Sequence, residues 1–231
     1  MQLPHYFLNE RGNILTKWIN GKKREILLSN LETIQQQRAK IALIDRDGVM
    51  IHKAPKLRYH TSLKDIIILP DVAKAITYLN KKNISIVVIT NQPGIYKKLI
   101  SINDLYEMDL EMLRQLRKYK GKIDSVFFCP HAAYDEGDKI TNDKLCTCRK
   151  PHPGMLNTAM LLYGVEGGNT FMFGDFESDI QAAKNAGVNP IYITTKHDEY
   201  EEMKKRIEIK HPEVLKKSTF NHLFDAVKAV F

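Results

Sequence analysis

Cysteine is scarce in this chain, and the three present, Cys129, Cys146 and Cys148, all lie between positions 129 and 148. That grouping argues against a disulfide framework, for which a cytosolic setting is unsuited and a Cys-x-Cys pair a poor bridge. No apolar run approaches the roughly 20 residues that a membrane span needs. The opening MQLPHYFLNERGN lacks the charged start and apolar stretch of a secretory signal, so a cytoplasmic protein with no membrane partner is expected. There is no G-x-x-x-x-G-K-[ST] phosphate loop, no internal repeat and no low-complexity segment. A basic stripe with regularly placed aromatics is also missing. The net charge of +8 comes from lysines interleaved with acids, as in KHDEYEEMKKRIEIKHPEVLKK (196–217), which disfavours a nucleic-acid partner. A solvated lysine-rich surface explains that charge, and a small anionic substrate such as a phosphate ester suits it equally well.

What is present is an ordinary globular composition, 43% hydrophobic and 27% charged, over 231 residues, enough for one sizeable domain with or without an extension. From residue 41 onward, short β-rich apolar runs alternate with helical patterns. The runs are IALID (41–45), ISIVVIT (84–90), SVFFC (125–129), TFMFGD (170–175) and PIYIT (190–194). Near-continuous apolar runs suit parallel strands buried on both faces. Between them DVAKAITYLNKK, SINDLYEMDLEMLRQLRKYK, PGMLNTAMLLYG and ESDIQAAKNAG read as helices, with Ser101 and Asp104 at a start and Gly164 and Gly187 at stops. The fold class predicted is α/β, a three-layer doubly wound parallel sheet, with ligands at the carboxyl ends of its strands. Residues 1–40 read as an N-terminal extension: a hairpin and helix on the sheet, an oligomerisation arm or a remnant of another domain. Residues 41–231 read as the main domain.

The strand ends carry the chemistry. IALIDRDGVM puts Asp45 at the end of an apolar strand, Asp47 two residues on and Gly48 at the turn. Alone, D-x-D-G is equally an acidic turn or a calcium-loop fragment. FMFGDFESDI repeats the theme with Asp175 and, four residues later, Asp179, which by itself reads also as a capping or surface acid. Carboxylates gathered at one sheet edge repel one another, and a hard cation with oxygen ligands, Mg²⁺, is their natural neutraliser. VVITNQPG places a hydroxyl, Thr90, and an amide, Asn91, at another strand end, where both suit phosphate oxygens. CRKP supplies Arg149 and Lys150, cations that can balance a transferring phosphoryl group. Just before them, Cys129-x-His131 and Cys146-x-Cys148 supply four soft or borderline ligands, the number a closed tetrahedral Zn²⁺ site takes; buried free thiols are the alternative. Such a site is structural and would pin the long loop 129–148 over the strand ends.

These four segments, in this order, resemble the haloacid-dehalogenase-superfamily phosphatases: DRDGV (45–49), TNQ (90–92), Lys150 and GDFESD (174–179) match its four motifs. The resemblance implies a Rossmann-like fold without a large cap domain. It also implies that Asp45 attacks phosphorus to form an aspartyl-phosphate, with Asp47 as general acid and then base. By the same resemblance Mg²⁺ sits among Asp45, the backbone carbonyl of Asp47 and Asp175, with Asp179 behind, supporting the metal site or the lysine. Thr90 and Lys150 take the phosphoryl group, and Asn91, Gln92 and Arg149 lie with them around phosphate or substrate.

CPH…CTCRKPHPGM resembles in particular the histidinol-phosphate and D-glycero-D-manno-heptose-1,7-bisphosphate phosphatases. The TNQPGI (90–95) and PHPGM (151–155) stretches look closer to the latter, implying a small sugar phosphate as substrate and a monomer or small homo-oligomer. Histidinol phosphate and a 3′-phosphorylated polynucleotide are the alternative substrates, and a non-catalytic role through 1–40 is the remaining one. The chain departs from the subgroup near the substrate. Leu57-Arg58-Tyr59-His60 replaces a Gly-Tyr-Val turn, and Phe176 replaces a basic residue. Tyr96-Lys97-Lys98 stands for a small-basic-Gly sequence, and Pro70-Asp71-Val72 for Pro-Gly-Val.

Overall fold

The computed structural model describes residues 5–8, 14–17, 40–54, 59–132, 146–194 and 200–231. The helix-like part of 18–39, Leu57, Arg58 and the middle of the 129–148 loop lie outside the described residues. Among those described, the strands are β1 (His5–Leu8), β2 (Ile14–Lys17), β3 (Ile41–Ile44), β4 (Ser85–Asn91), β5 (Ser125–Cys129), β6 (Thr170–Gly174), β7 (Asn189–Ile193) and β8 (Thr219–Phe220). The helices are α1 (Val72–Lys81), α2 (Ile102–Arg117), α3 (Gly154–Tyr163), α4 (Glu177–Asn185), α5 (Tyr200–Lys210), α6 (Pro212–Lys217) and α7 (Leu223–Val230).

The strands form one sheet in the order β2-β1-β5-β4-β3-β6-β7-β8. From β5 to β8 the pairing is parallel, which is the doubly wound sheet expected. The chain moves outward from β3 through β4 to β5, then returns to β6 on the other side of β3. The reversal falls between β3 and β6, the place where open α/β sheets bind ligands. β1 pairs antiparallel with both β2 and β5, so residues of the N-terminal stretch extend this sheet at its edge.

Both faces of the sheet are covered, and side-chain alternation along β3 shows how. Ala42 and Ile44 join the core with Val72, Ile76, Leu105, Met112 and Val227, from α1, α2 and α7. Ile41 and Leu43 join the opposite core with Met155, Ala159 and Ala182, from α3 and α4. α2 starts as its sequence suggests, with Ser101 Oγ accepting from Asp104 N at 3.1 Å and Asp104 Oδ2 accepting from Ser101 N at 2.7 Å. Sequence pattern assigned no elements beyond residue 194; β8 is only two residues long, and α5 to α7 sit in a strongly charged stretch.

Asp71 and Lys98, both in stretches where the sequence departs from the expected motif, have φ values of 66° and 56°, in the left-handed region that favours glycine. A lysine in the left-handed region costs about 1 kcal/mol more than glycine there, partly offset by the unfolded-state freedom glycine regains. Lys98→Gly is therefore expected to stabilise the protein by ~0.5 kcal/mol, read as a higher denaturant midpoint with unchanged slope. A lower midpoint would show that the lysine side chain contributes more than its backbone costs.

Candidate active site

The alternation along β3 continues into the site. Asp45 extends the strand, its N–H donating to Phe173 O at 2.9 Å, and turns toward the α3–α4 side. There Lys150 Nζ donates to Asp45 Oδ1 at 2.8 Å, lies 2.6 Å from Asp179 Oδ1 and donates to Ile89 O at 2.8 Å. Arg46, one residue on, goes to the opposite side and meets Asp109 of α2, Nη1 to Oδ1 at 2.9 Å.

Asp175 follows β6 and is buried beside Gly48. A Cβ on Gly48 would stand 2.2 Å from Asp175 Oδ2, and the glycine's φ of +95° suits no other residue well. Gly174 is equally confined, since a Cβ there would stand 2.2 Å from the Asp179 Cβ. Lys53 Nζ reaches Asp175 Oδ2 at 2.8 Å while lying 4.5 Å from the Phe176 ring centre. Asp179 enters from the start of α4, its Oδ2 accepting from Phe176 N at 3.0 Å. Both Asp179 oxygens are thus engaged by protein, one by Lys150 and one by the backbone.

Asp47 is more open, with its side chain 25% exposed, and it is surrounded by donors. Arg46 Nε and Gln92 Nε2 reach Oδ2 at 3.1 and 2.7 Å, and Thr90 Oγ1 stands 3.3 Å from the same oxygen. Arg46 Nη2 lies 3.1 Å from Oδ1, and His60 Nε2 lies 3.0 Å from it. Burial alone would raise the Asp47 carboxyl, but Arg46 and His60 outweigh it and hold the group well below the usual range. Asp45 goes the other way. Burial pushes it up to about 8, helped by Asp179, Asp175 and Asp47 and opposed by Lys150. Lys150 is raised: its burial favours the neutral amine, yet Asp179 and Asp45 keep it charged.

The carboxylate oxygens of Asp45, Asp175 and Asp179 approach within 4.8 Å of one another. Counting the partners just named and taking every carboxyl as ionised, five acids (Asp45, Asp47, Asp109, Asp175, Asp179) face three permanent cations (Arg46, Lys53, Lys150), an excess of two negative charges that, without metal, is eased by the proton Asp45 tends to hold. A divalent cation held by oxygen restores the balance, so the donor set fits Mg²⁺.

A second cluster adjoins the first. Cys129 Sγ lies 3.3 Å from Cys148 Sγ and 3.8 Å from Cys146 Sγ, and the Cys146–Cys148 pair is 3.3 Å apart. His131 Nδ1 stands 3.4, 3.3 and 3.4 Å from the sulfurs of Cys129, Cys146 and Cys148. The thiols are unbridged. A tetrahedral ion bonded at about 2.3 Å sets its sulfurs roughly 3.8 Å apart, so four ligands closed around one centre fit Zn²⁺. The three thiols are driven apart: Cys148 is pulled down to about 6, chiefly by its hydrogen bond with Cys129 and against its burial, while Cys129 and Cys146 are raised. The cluster is tied to the neighbouring cations: Arg149 donates its N–H to Cys146 Sγ at 3.3 Å and its Nη1 to His131 O at 3.0 Å.

The residues expected around phosphate fall into two groups. Thr90 and Lys150 face Asp47 and Asp45 respectively. Asn91 instead exchanges two bonds with the Lys150 backbone, Nδ2 to O and N to Oδ1, both 3.0 Å, and so holds the lysine. The Gln92 amide serves Asp47 and Thr90. Arg46, Lys53 and Asp109 carried no site assignment from sequence, and His60, expected near the substrate, instead faces Asp47. For Asp109 a signal existed: one acid among Leu105, Met108, Met112 and Leu116 on the buried face of α2 demands a buried cation.

Known proteins resemble this chain in sequence and fold. A haloacid dehalogenase-like hydrolase model matches residues 15–187. The chain is 30% identical over 156 residues to a D-glycero-beta-D-manno-heptose-1,7-bisphosphate 7-phosphatase of Neisseria meningitidis, covering 68% of this chain and 78% of the relative. It is 32% identical over 161 residues to a D-glycero-alpha-D-manno-heptose-1,7-bisphosphate 7-phosphatase of Photorhabdus laumondii, covering 69% and 85%. A crystal structure of D,D-heptose 1,7-bisphosphate phosphatase from B. bronchiseptica, complexed with magnesium and phosphate, superposes with a TM-score of 0.70 at 27% identity, covering 83% of this chain and 97% of that one. No helix among the described residues is long and apolar enough to cross a membrane. With its family model spanning most of the sheet and its acids gathered at the reversal point between β3 and β6, the chain belongs to the haloacid dehalogenase-like hydrolase family.

Proposed function

We propose that this protein is a Mg²⁺-dependent phosphatase of a small sugar phosphate, D-glycero-D-manno-heptose 1,7-bisphosphate above others, acting through an aspartyl-phosphate on Asp45. The observation that carries this reading is the cluster of Asp45, Asp175 and Asp179 around Lys150, with Asp47 alongside. Asp45 Oδ1 accepts from Lys150 Nζ and from Arg46 N, which leaves Oδ2 to attack phosphorus. As the Oδ2–phosphorus bond forms, the bond from phosphorus to the sugar oxygen breaks, and Asp47 gives its proton to that oxygen. Asp47 rests as a carboxylate; the negative phosphate beside it favours uptake of the proton it then delivers. In the second step Asp47 takes a proton from water as the water attacks phosphorus, and Asp45 is freed with release of phosphate. Lys150 and Thr90 balance and orient the transferring group.

Asp45, Asp175 and the Asp47 carbonyl would hold Mg²⁺, which supplies charge neutralisation at the phosphoryl oxygens. Asp179, with one oxygen on Lys150 and one on the Phe176 N–H, orients the lysine. Cys129, His131, Cys146 and Cys148 would hold a structural Zn²⁺ that positions Arg149 and Lys150. Residues 41–231 carry this apparatus, and the stretch before them lengthens the sheet.

Heptose 1,7-bisphosphate of both anomers, hexose bisphosphates, histidinol phosphate and a 3′-phosphorylated oligonucleotide, compared by kcat/KM with Mg²⁺, test the substrate class. The highest value is expected for a heptose bisphosphate; preference for the oligonucleotide would overturn the sugar reading. For the second cluster, Cys146→Ser is expected to lose bound zinc, measured by elemental analysis, and to lower kcat/KM about tenfold or more, as lost second contacts around metals do. Wild-type protein purified without zinc, or a variant of undiminished activity, contradicts this role.

A further inference from the structure

Asp47 is gripped by groups that the proposed chemistry leaves without a task. Arg46 is 1% exposed and forks across both Asp47 oxygens, while its third nitrogen is anchored by Asp109, also 1% exposed. From the other side His60, 3% exposed, puts Nε2 at ion-pair distance, 3.0 Å, from Asp47 Oδ1, and neither ring nitrogen has another hydrogen-bond partner among the described residues. Burying an arginine–aspartate pair and an imidazole is a poor way to stabilise a core, since apolar side chains of similar volume do so at least as well. A planar guanidinium held at its far end does, however, fix the plane of a carboxyl group.

We propose that Asp109, acting through Arg46, and His60, acting directly, are positioning residues that aim the Asp47 carboxyl at the leaving oxygen of the substrate. This rests on the reading of Asp47 as the general acid. Aim matters most when the leaving group is a sugar alkoxide, which cannot depart without Asp47's proton. It matters little for nitrophenolate, which leaves as the anion.

The test compares kcat/KM, which reports the first chemical step, for the preferred sugar phosphate and for p-nitrophenyl phosphate. Asp109→Asn and His60→Val are each expected to lose about tenfold or more on the sugar phosphate, within the range general acids contribute, and less than about threefold on the nitrophenyl ester. His60→Gln, which retains an N–H donor, is expected to recover part of the loss. An Asp109 variant that fails to fold leaves His60→Val to decide, since His60 lies in a loop outside the helices and strands. Equal losses on both substrates would overturn the inference, because general structural damage does not discriminate between leaving groups. Asp47→Asn is the internal reference. If it shows no discrimination either, the acid reading itself fails and carries the inference with it; if it discriminates and the two variants do not, the positioning role alone is refuted.

Discussion

Asp45→Asn is expected to reduce phosphate release by a factor on the order of 10³ or more while leaving the protein folded. An amide is too weak a nucleophile to form the acyl-phosphate, and the neighbouring carboxylates are already engaged, Asp47 by Arg46 and Gln92. Asp175 and Asp179 are sealed beneath it, one paired with Lys53 and the other with Lys150 and a backbone N–H. The substitution also removes one negative charge from a crowded cluster, where burial and three neighbouring acids already oppose ionisation. Folding stability without metal should therefore be equal or higher. Loss of activity with retained or raised thermal stability is the joint signature, read by steady-state assay and thermal unfolding. Substantial residual turnover would remove Asp45 from the mechanism.

Lys150→Met has the second largest expected effect and the opposite sign on stability. The ammonium sits between Asp45 and Asp179, both buried, and each depends on it for charge. Breaking a buried ion pair from one side costs about 3–5 kcal/mol, because the carboxylates left behind are uncompensated. Their raised proton affinity means that the cost is felt at neutral pH and eases as pH falls and they protonate. Activity should fall by about 10²–10³, the usual loss on removing one group that stabilises transition-state charge. Chemical denaturation at pH 7 and pH 5, together with kcat, measures both effects. A variant as stable as the parent at pH 7 would contradict the ion-pair network described.

The contrast between these two lysine-linked acids and the Arg46 pair shows what sequence can and cannot convey. Asp45, Thr90, Cys129 and Asp175 were legible because each follows an apolar run whose burial on both faces marks a parallel strand. The start of α2 at Ser101 and the stops of α3 at Gly164 and α4 at Gly187 were legible from capping residues. The Arg46–Asp109 contact spans 63 positions and depends on which face α2 turns to the sheet, which no local pattern states. The same holds for Asn91. A strand-end amide reads as a phosphate contact, and only the fold shows it spent on the Lys150 backbone. Lys98 reads from sequence as a change near the substrate, and no local pattern shows that its backbone is left-handed. The cysteine cluster was legible from spacing because ligand number and residue type suffice to define a tetrahedral site.

The account stands or falls on where the phosphoryl group goes. The direct measurement is acid-quenched turnover with Mg²⁺ and the preferred sugar phosphate, followed by mass analysis of the peptides. A phosphoryl adduct on the peptide bearing Asp45, absent when Asp45 is asparagine, is the predicted result. Rapid phosphate release with no adduct on that peptide, or an adduct on a different residue, would contradict it.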